Sequence, residues 1–166
     1  FVVFATCVNP VFLSGKNVIN IFRASGFTLI SVVGTALILI TGGLDLSIGS
    51  VYALGAVVCG ICMTGLGLPI PVSIAAGLLV GLICGLLNGI LIVYANIPPM
   101  IATLGMQYIA RGAVSVLTRG VPIYPLPDEF VSIESTKLFH IIPIIIPIAI
   151  VLAVVAHFIL SRTVFG

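Results

Sequence analysis

Long apolar stretches follow one another along almost the whole chain, and they restrict its folding more than any other feature. Five of them reach the roughly 20 residues that a membrane-spanning helix needs; they cover residues 24–43, 46–66, 70–95, 97–118 and 138–160. The chain has 61% hydrophobic and 6% charged residues, whereas soluble domains carry roughly 25% charged residues. The sequence therefore predicts an all-α, polytopic transmembrane helix bundle. We expect one domain over 1–166, with about five complete spanning helices and the end of a first one.

The polar residues exclude several classes of protein. A net charge of +2 is too small to indicate nucleic-acid binding. The chain lacks a glycine-rich phosphate loop with its lysine, so we predict no nucleotide cofactor. Cys59 and Cys62 form a C-x-x-C pair in a wholly apolar segment, which favours two small hydrophobic residues over a redox or metal site. We predict no catalytic residues, no metal site and no cofactor.

Glycines recur at every fourth position in the 70–95 segment, at Gly77, Gly81, Gly85 and Gly89. On a helix this spacing places them on one slowly drifting stripe. A stripe without side chains lets another membrane helix approach almost to backbone contact. The stripe therefore predicts tight helix packing, and we expect Asn88, which lies beside it, to bond across a helix contact.

The stretch "TGGLDLSIGS" (41–50) places a carboxylate and two adjacent glycines between two apolar segments. An aspartate at the centre of a membrane helix costs about 2.5–3.5 kcal/mol on insertion scales. In one interpretation Gly42 and Gly43 end a helix, and Asp45 is the N-cap of the next, bonded to the amide near Ser47. In another, broken backbone lines a translocation path, because non-helical backbone at depth must face protein or water. The two interpretations are compatible.

A polar stripe in the 97–118 segment raises the same alternatives. Thr103, Gln107 and Arg111 lie at i, i+4 and i+8, so they share one helix face. Such a stripe indicates a water-facing or gating surface on a translocation path. Alternatively, Arg111 extends to a lipid headgroup while Thr103 and Gln107 bond to neighbouring helices.

Three stretches resemble the permease subunit of ribose-type sugar ABC importers, within the branched-chain amino acid and ribose permease superfamily. They are "TGGLDLSIGSVYALGA" (41–56), "NGILIVYANIPPMIATLGMQYIARG" (88–112) and "SRTVFG" (161–166). Permeases for the autoinducer-2 signal are close relatives. Met100 stands where the family often has an aromatic residue. The resemblance covers essentially this whole chain but only about the first half of a family member, so we expect the N-terminal half of a longer chain.

The resemblance implies a multi-pass protein of the bacterial inner membrane that forms the path for ribose or a related monosaccharide. It implies a separate ABC ATPase subunit, a periplasmic sugar-binding protein and a second permease subunit, either an identical chain or a paired paralogue. This chain would contact lipid and hydrolyse nothing itself. Arg162, Phe165 and Gly166 would lie at the start of the cytoplasmic coupling loop.

Charge and resemblance disagree about orientation. The positive-inside rule would place the loop 119–137 in the cytoplasm, together with Lys16 and Arg23. The resemblance places that loop in the periplasm, and we prefer it. Two other functions remain: an ion-coupled secondary transporter with Asp45 as its ion site, and a membrane scaffold that transports nothing.

Overall fold

The computed structural model describes residues 14–40, 42–135, 137–138, 142–143 and 145–162. Its elements, in chain order, are α1 (Gly15–Ile40), α2 (Ile48–Thr64), α3 (Ile70–Val93), α4 (Pro99–Thr118), α5 (Asp128–Ser135), β1 (Lys137–Leu138), β2 (Ile142–Pro143) and α6 (Ile145–Arg162). The two short strands pair in antiparallel fashion, with Leu138 opposite Ile142. Helices make up most of the described residues, and the only strands among these are two of two residues each, which confirms the predicted all-α fold.

Four of the described helices, α1, α3, α4 and α6, are long and apolar enough to cross a membrane. Helix α2 is equally apolar but has only 17 residues. The five predicted spans therefore correspond to four full-length helices and one short one. The short helix follows the "TGGLDLS" stretch, so its length bears directly on how that stretch is used.

Helix α1 begins at Gly15, well before the predicted start at residue 24. Ser14 explains the earlier start, because its Oγ accepts a hydrogen bond of 3.4 Å from the Asn17 amide. Its carbonyl also accepts a bond of 3.0 Å from the Val18 amide. This is the geometry of a serine N-cap. The predicted start was late because charged and amide side chains alternate with apolar ones in the first turns of α1.

The end of the chain also departs from the predicted boundaries. In the 119–137 loop, prolines keep residues 121–127 free of regular helix. Helix α5 begins directly afterwards, with Asp128 and Glu129 in its first turn. Carboxylates are favourable at a helix N-terminus because of the helix dipole. The last apolar segment was predicted from residue 138, but α6 begins at Ile145, since apolar composition does not mark a helix start.

The chain divides into two compact units, and whether 1–166 is a single domain stays a prediction. One unit combines the described residues up to Leu37 with those from Ser132 onward. In it, a Cβ added to Gly26 would lie 2.6 Å from Cγ2 of Ile145, so a glycine is needed where these two helices touch. Most side chains of α1 and α6 are exposed, as expected for helices that face lipid.

The other unit, Ile38–Val131, is built around α2, α3 and α4. Helices α2 and α3 are antiparallel neighbours: Gly55 lies against Gly77, and Ser47 bonds Asn88. Helix α4 runs parallel to α2, because Thr103 near its start bonds the segment that precedes α2. A small buried core fills the space between the three helices; its members are Leu54, Cys84, Met106 and Ala110.

The turns after α2 and α3 share one design. A residue with positive φ follows each helix, Gly67 at +63° and Asn96 at +52°. The next amide then bonds back to the helix: Leu68 to the Cys62 carbonyl at 3.0 Å, and Ile97 to the Leu91 carbonyl at 3.1 Å. A proline N-cap starts the following helix in both cases. The "GLP" and "NIP" sequences therefore form equivalent turns, each of which ends one helix and starts the next, antiparallel helix.

Candidate functional site

The end of α1 is closed by a glycine turn. Gly42 has φ +75°, which favours glycine. Its amide donates to the Leu39 carbonyl at 3.0 Å, and the Gly43 amide donates to the Ile38 carbonyl at 3.1 Å. This pair of bonds is the Schellman pattern that satisfies the last carbonyls of a helix. Gly42 and Gly43 therefore form the C-terminal turn that their sequence suggests.

Asp45 organises the start of α2 without being its N-cap. Its Oδ1 accepts one hydrogen bond from the Ser47 amide at 2.7 Å and another from the Ser47 hydroxyl at 2.6 Å. The expected bond from the Ser47 amide is thus present, but Ser47 is the N-cap and α2 begins at Ile48. The N-cap assignment for Asp45 was wrong by two positions, because the Ser47 carbonyl, not that of Asp45, accepts the first helical bonds.

Asn88 of α3 connects to this carboxylate through Ser47. Its Nδ2 donates a hydrogen bond of 3.2 Å to the Ser47 Oγ, and the two residues are 5% and 1% exposed. Because the only hydroxyl proton of Ser47 goes to Asp45, its oxygen can only accept, which fixes the orientation of the Asn88 amide. The Oδ1 of Asn88 is buried and has no partner among the described residues.

Thr103 of α4 holds the same segment from the other side. Its single hydroxyl proton is shared between the Pro99 carbonyl of its own helix, at 2.8 Å, and the Leu44 carbonyl, at 3.2 Å. Thr103 is 2% exposed, so this contact is shielded. The segment 42–47, which we call the helix break, is therefore tied to two different helices by side-chain hydrogen bonds.

The length of α2 explains why these bonds are needed. Its 17 residues rise only about 25 Å, less than the roughly 30 Å of a bilayer's hydrocarbon core. If α2 takes part in a membrane crossing, part of the helix break would lie within the hydrocarbon core. Non-helical backbone is tolerated at that depth only where protein or water satisfies its polar groups. Asp45, Ser47, Asn88 and Thr103 supply such partners.

A cavity of about 490 Å³ lies beside α2, further along α4. Its lining comes from the first turns of α2, the last turns of α4 and the turn that follows: Gly49, Ser50, Ala53, Arg111, Val114, Ser115, Thr118, Gly120, Val121 and Pro122. Arg111 is exposed, whereas Ser50 is 7% exposed. Of the predicted path residues, only Arg111 lines this cavity.

The three residues of the predicted polar stripe on α4 therefore lie in different surroundings. Thr103 belongs to the helix break, Gln107 is half-buried between the two regions, and Arg111 belongs to the cavity. Sequence reasoning missed Ser50, Ser115 and Thr118. A signal existed for the last two, since they continue the face of Arg111 at i+4 and i+7.

The four glycines of the stripe also differ in how closely another helix approaches them. A Cβ added to Gly77 would lie 2.7 Å from the Gly55 carbonyl oxygen, which real Cβ atoms do not tolerate. Gly77 is thus a true close-approach site between α2 and α3. At Gly81, Gly85 and Gly89 an added Cβ would meet nothing within 4 Å among the described residues. Their predicted role in packing stays a prediction.

The described residues contain no group of three or more His, Cys, Asp or Glu side chains that could hold a metal ion. Cys59 is half-buried and Cys62 buried, and both are free thiols. Arg162 is the last residue of α6. Phe165 and Gly166, the other predicted members of the coupling loop, lie outside the described residues.

Comparison with known proteins identifies the family. The model of the branched-chain amino acid transport system / permease component family matches residues 17–166. The autoinducer 2 import system permease protein LsrC of Enterobacter sp. (strain 638) is 33% identical over 159 residues, which are 96% of this chain and 46% of that protein. LsrC of Photorhabdus luminescens is 32% identical over 155 residues, 93% of this chain and 46% of that protein.

A third relative agrees with the first two. LsrC of Yersinia pseudotuberculosis serotype O:1b (strain IP 31758) is 34% identical over 146 residues, 88% of this chain and 41% of that protein. The chain therefore spans less than half the length of these relatives. No solved structure gave a significant match. With its apolar helices and this match over most of its length, the chain belongs to the branched-chain amino acid transport system / permease component family and is a multi-pass protein of the bacterial inner membrane.

Proposed function

We propose that the chain forms part of the translocation path in the permease of an ATP-binding cassette importer. The observation that carries this proposal is the helix break, in which Asp45, Ser47 and Asn88 form a hydrogen-bonded chain inside a helix bundle. Polar groups at membrane depth are costly and are characteristic of solute pathways. The relatives are named as permease proteins of an import system, which supports the same reading.

The relatives also suggest what to test as the solute. They are named for autoinducer 2, whereas the sequence motifs resemble permeases for ribose and related monosaccharides. We propose a small, oxygen-rich solute of this kind, with autoinducer 2 as the first candidate and ribose as the second. The chain would have no enzymatic role.

We propose that the helix break acts as a gate, with two arrangements of the segment 42–47 against α3 and α4. The Schellman turn at Gly42 gives a well-defined end to α1, and the Asp45–Ser47 bonds give a well-defined start to α2. The segment between them has few backbone bonds of its own and depends on Asn88 and Thr103. A small movement of α3 or α4 would therefore displace the helix break. Small shifts of packed helices drive conformational switching in other proteins in the same way.

Such a gate needs partners that supply the energy and the solute. We propose a separate ATPase subunit on the cytoplasmic side, a periplasmic binding protein, and a second permease subunit that completes the membrane path. Arg162 ends α6, and the segment after it would contact the ATPase.

Reconstitution of the full-length protein with its ATPase and binding protein tests this function. We expect uptake of labelled autoinducer 2 or ribose that requires ATP and both partners and is insensitive to ionophores. Uptake without ATP that an ionophore abolishes would indicate an ion-coupled transporter instead. If the assembled complex binds its partners and takes up neither solute, the proposed solute class is wrong.

A further inference from the structure

We propose that the cavity beside α2 and α4 is an oxyanion-binding site, with Arg111 and Ser50 as its hydrogen-bond donors. This proposal does not depend on transport and concerns a region separate from the helix break. The cavity volume of about 490 Å³ is many times the roughly 30 Å³ that a water molecule occupies in the liquid. It is within the range of about 300–1,000 Å³ typical of small-molecule sites.

Arg111 gives the cavity a positive charge that no described residue neutralises. A guanidinium is always charged and presents five N–H donors in a planar fork that matches carboxylate or phosphate oxygens. Arg111 has no hydrogen bond or ion pair from its side chain to any described residue, and none of the cavity-lining residues is acidic. Because Arg111 is exposed, its guanidinium is accessible to an anion that enters the cavity.

Ser50 provides the second donor. It is 7% exposed and lines the cavity, yet its hydroxyl has no hydrogen-bond partner among the described residues. The Ser50 Oγ is not sealed from solvent, so it is accessible from the cavity and can donate to a ligand oxygen there.

The other hydroxyls of the lining already use their protons. Ser115 donates to the Arg111 carbonyl at 3.2 Å, and Thr118 donates to the Val114 carbonyl at 2.9 Å. Thr118 also accepts a bond of 3.2 Å from the Gly120 amide. The uncommitted donors are therefore the Arg111 guanidinium and the Ser50 hydroxyl. A charged donor and a neutral donor, with no acidic acceptor opposite, suit an acceptor-rich anion.

Two sources could provide this oxyanion: a soluble anion, or the phosphate of a phospholipid headgroup. The first test is binding of radiolabelled inorganic phosphate to the full-length permease in detergent. Arg111→Gln should abolish saturable binding, because it removes the charge while keeping a side chain of similar length. Arg111→Lys should retain part of it, since the charge remains and the fork is lost.

A second measurement locates the site. In a full-length permease with its native cysteines replaced by alanine, Ala53→Cys puts a thiol on the cavity wall and leaves both proposed donors in place. We expect Arg111→Gln to lower the ratio of its modification rates by anionic and cationic methanethiosulfonates by ~3- to 10-fold. Tyr52→Cys, whose native side chain is exposed on the same helix outside the cavity lining, is the matched control, and its ratio should not change.

Protection of the Ala53→Cys thiol separates the two sources. Protection by inorganic phosphate in detergent indicates a soluble anion. Protection only in phosphatidylglycerol vesicles, compared with vesicles of a phosphate-free glycolipid, indicates a lipid headgroup. The proposal is overturned if neither condition protects the thiol, or if Arg111→Gln leaves both phosphate binding and the rate ratio unchanged.

Discussion

The side-chain amide of Asn88 donates a hydrogen bond of 3.2 Å to the hydroxyl of Ser47, which lies 41 positions earlier in the chain. Ser47 in turn donates to Asp45 at 2.6 Å. A residue near the C-terminal end of a membrane-length helix thus holds the start of another helix, and through it a carboxylate. This chain of bonds joins the packing of the three-helix unit to the geometry of the helix break.

Replacing Asn88 should loosen that connection. Asn88→Ala removes the bond to Ser47, and we expect a loss of about 0.6 kcal/mol in the free energy of unfolding, up to about 1.7 kcal/mol, the range found for hydrogen bonds between membrane helices. Unfolding by denaturing detergent in mixed micelles measures the change. Ser115→Ala is the control, because the Ser115 hydroxyl bonds only within its own helix; an equal loss for both variants would contradict the assignment.

Thr103 should limit the mobility of the helix break. Thr103→Val keeps the branched shape but removes the donor to the Leu44 carbonyl. We expect faster hydrogen exchange of the amides in 43–47, measured by mass spectrometry in detergent. Thr64→Val is the matched control, since Thr64 bonds only to the Gly60 carbonyl of its own helix. Unchanged exchange in the Thr103 variant would mean that the contact does not restrain the break.

Gly77 should be the most sensitive position of the glycine stripe for the packing of α2 on α3. A Cβ at this position would lie 2.7 Å from the Gly55 carbonyl oxygen, so the backbones must separate. We expect Gly77→Ala to lower the free energy of unfolding by about 1–3 kcal/mol, as overpacking does. Gly81→Ala should cost less, because a Cβ there meets nothing within 4 Å among the described residues. The reverse order of the two effects, measured in the same unfolding assay, would contradict the packing.

The fold was largely predictable from the sequence because apolar length determines membrane helices directly. The presence of a break at this position was predictable, since a glycine pair beside an aspartate cannot continue a buried helix. Its N-cap could not be assigned with certainty, because Asp45 and Ser47 are both good capping residues. Only the structure distinguishes them, through the helical bonds to the Ser47 carbonyl.

The polar stripe on α4 shows the limit of periodicity. Spacing correctly places Thr103 and Arg111 on one helix face but does not show what lies opposite each residue. Thr103 faces the helix break and Arg111 faces the cavity. The segment before α2 lies beside the start of α4, and the first turns of α2 lie beside its end. Ser50 was not predicted for the same reason: its significance depends on a neighbour more than 50 positions away in sequence.

Uptake by an Asp45→Ala variant tests the central claim most directly, because Asp45 organises the break and lies at the end of the Asn88–Ser47 chain. In vesicles with the full-length permease, its ATPase and its binding protein, we expect ATP-driven uptake to fall well below that of an Asp128→Ala control in α5. The affinity of the binding protein for its solute should not change. Normal uptake by a correctly inserted Asp45→Ala protein would contradict the account and reduce the carboxylate to a dispensable element of the turn.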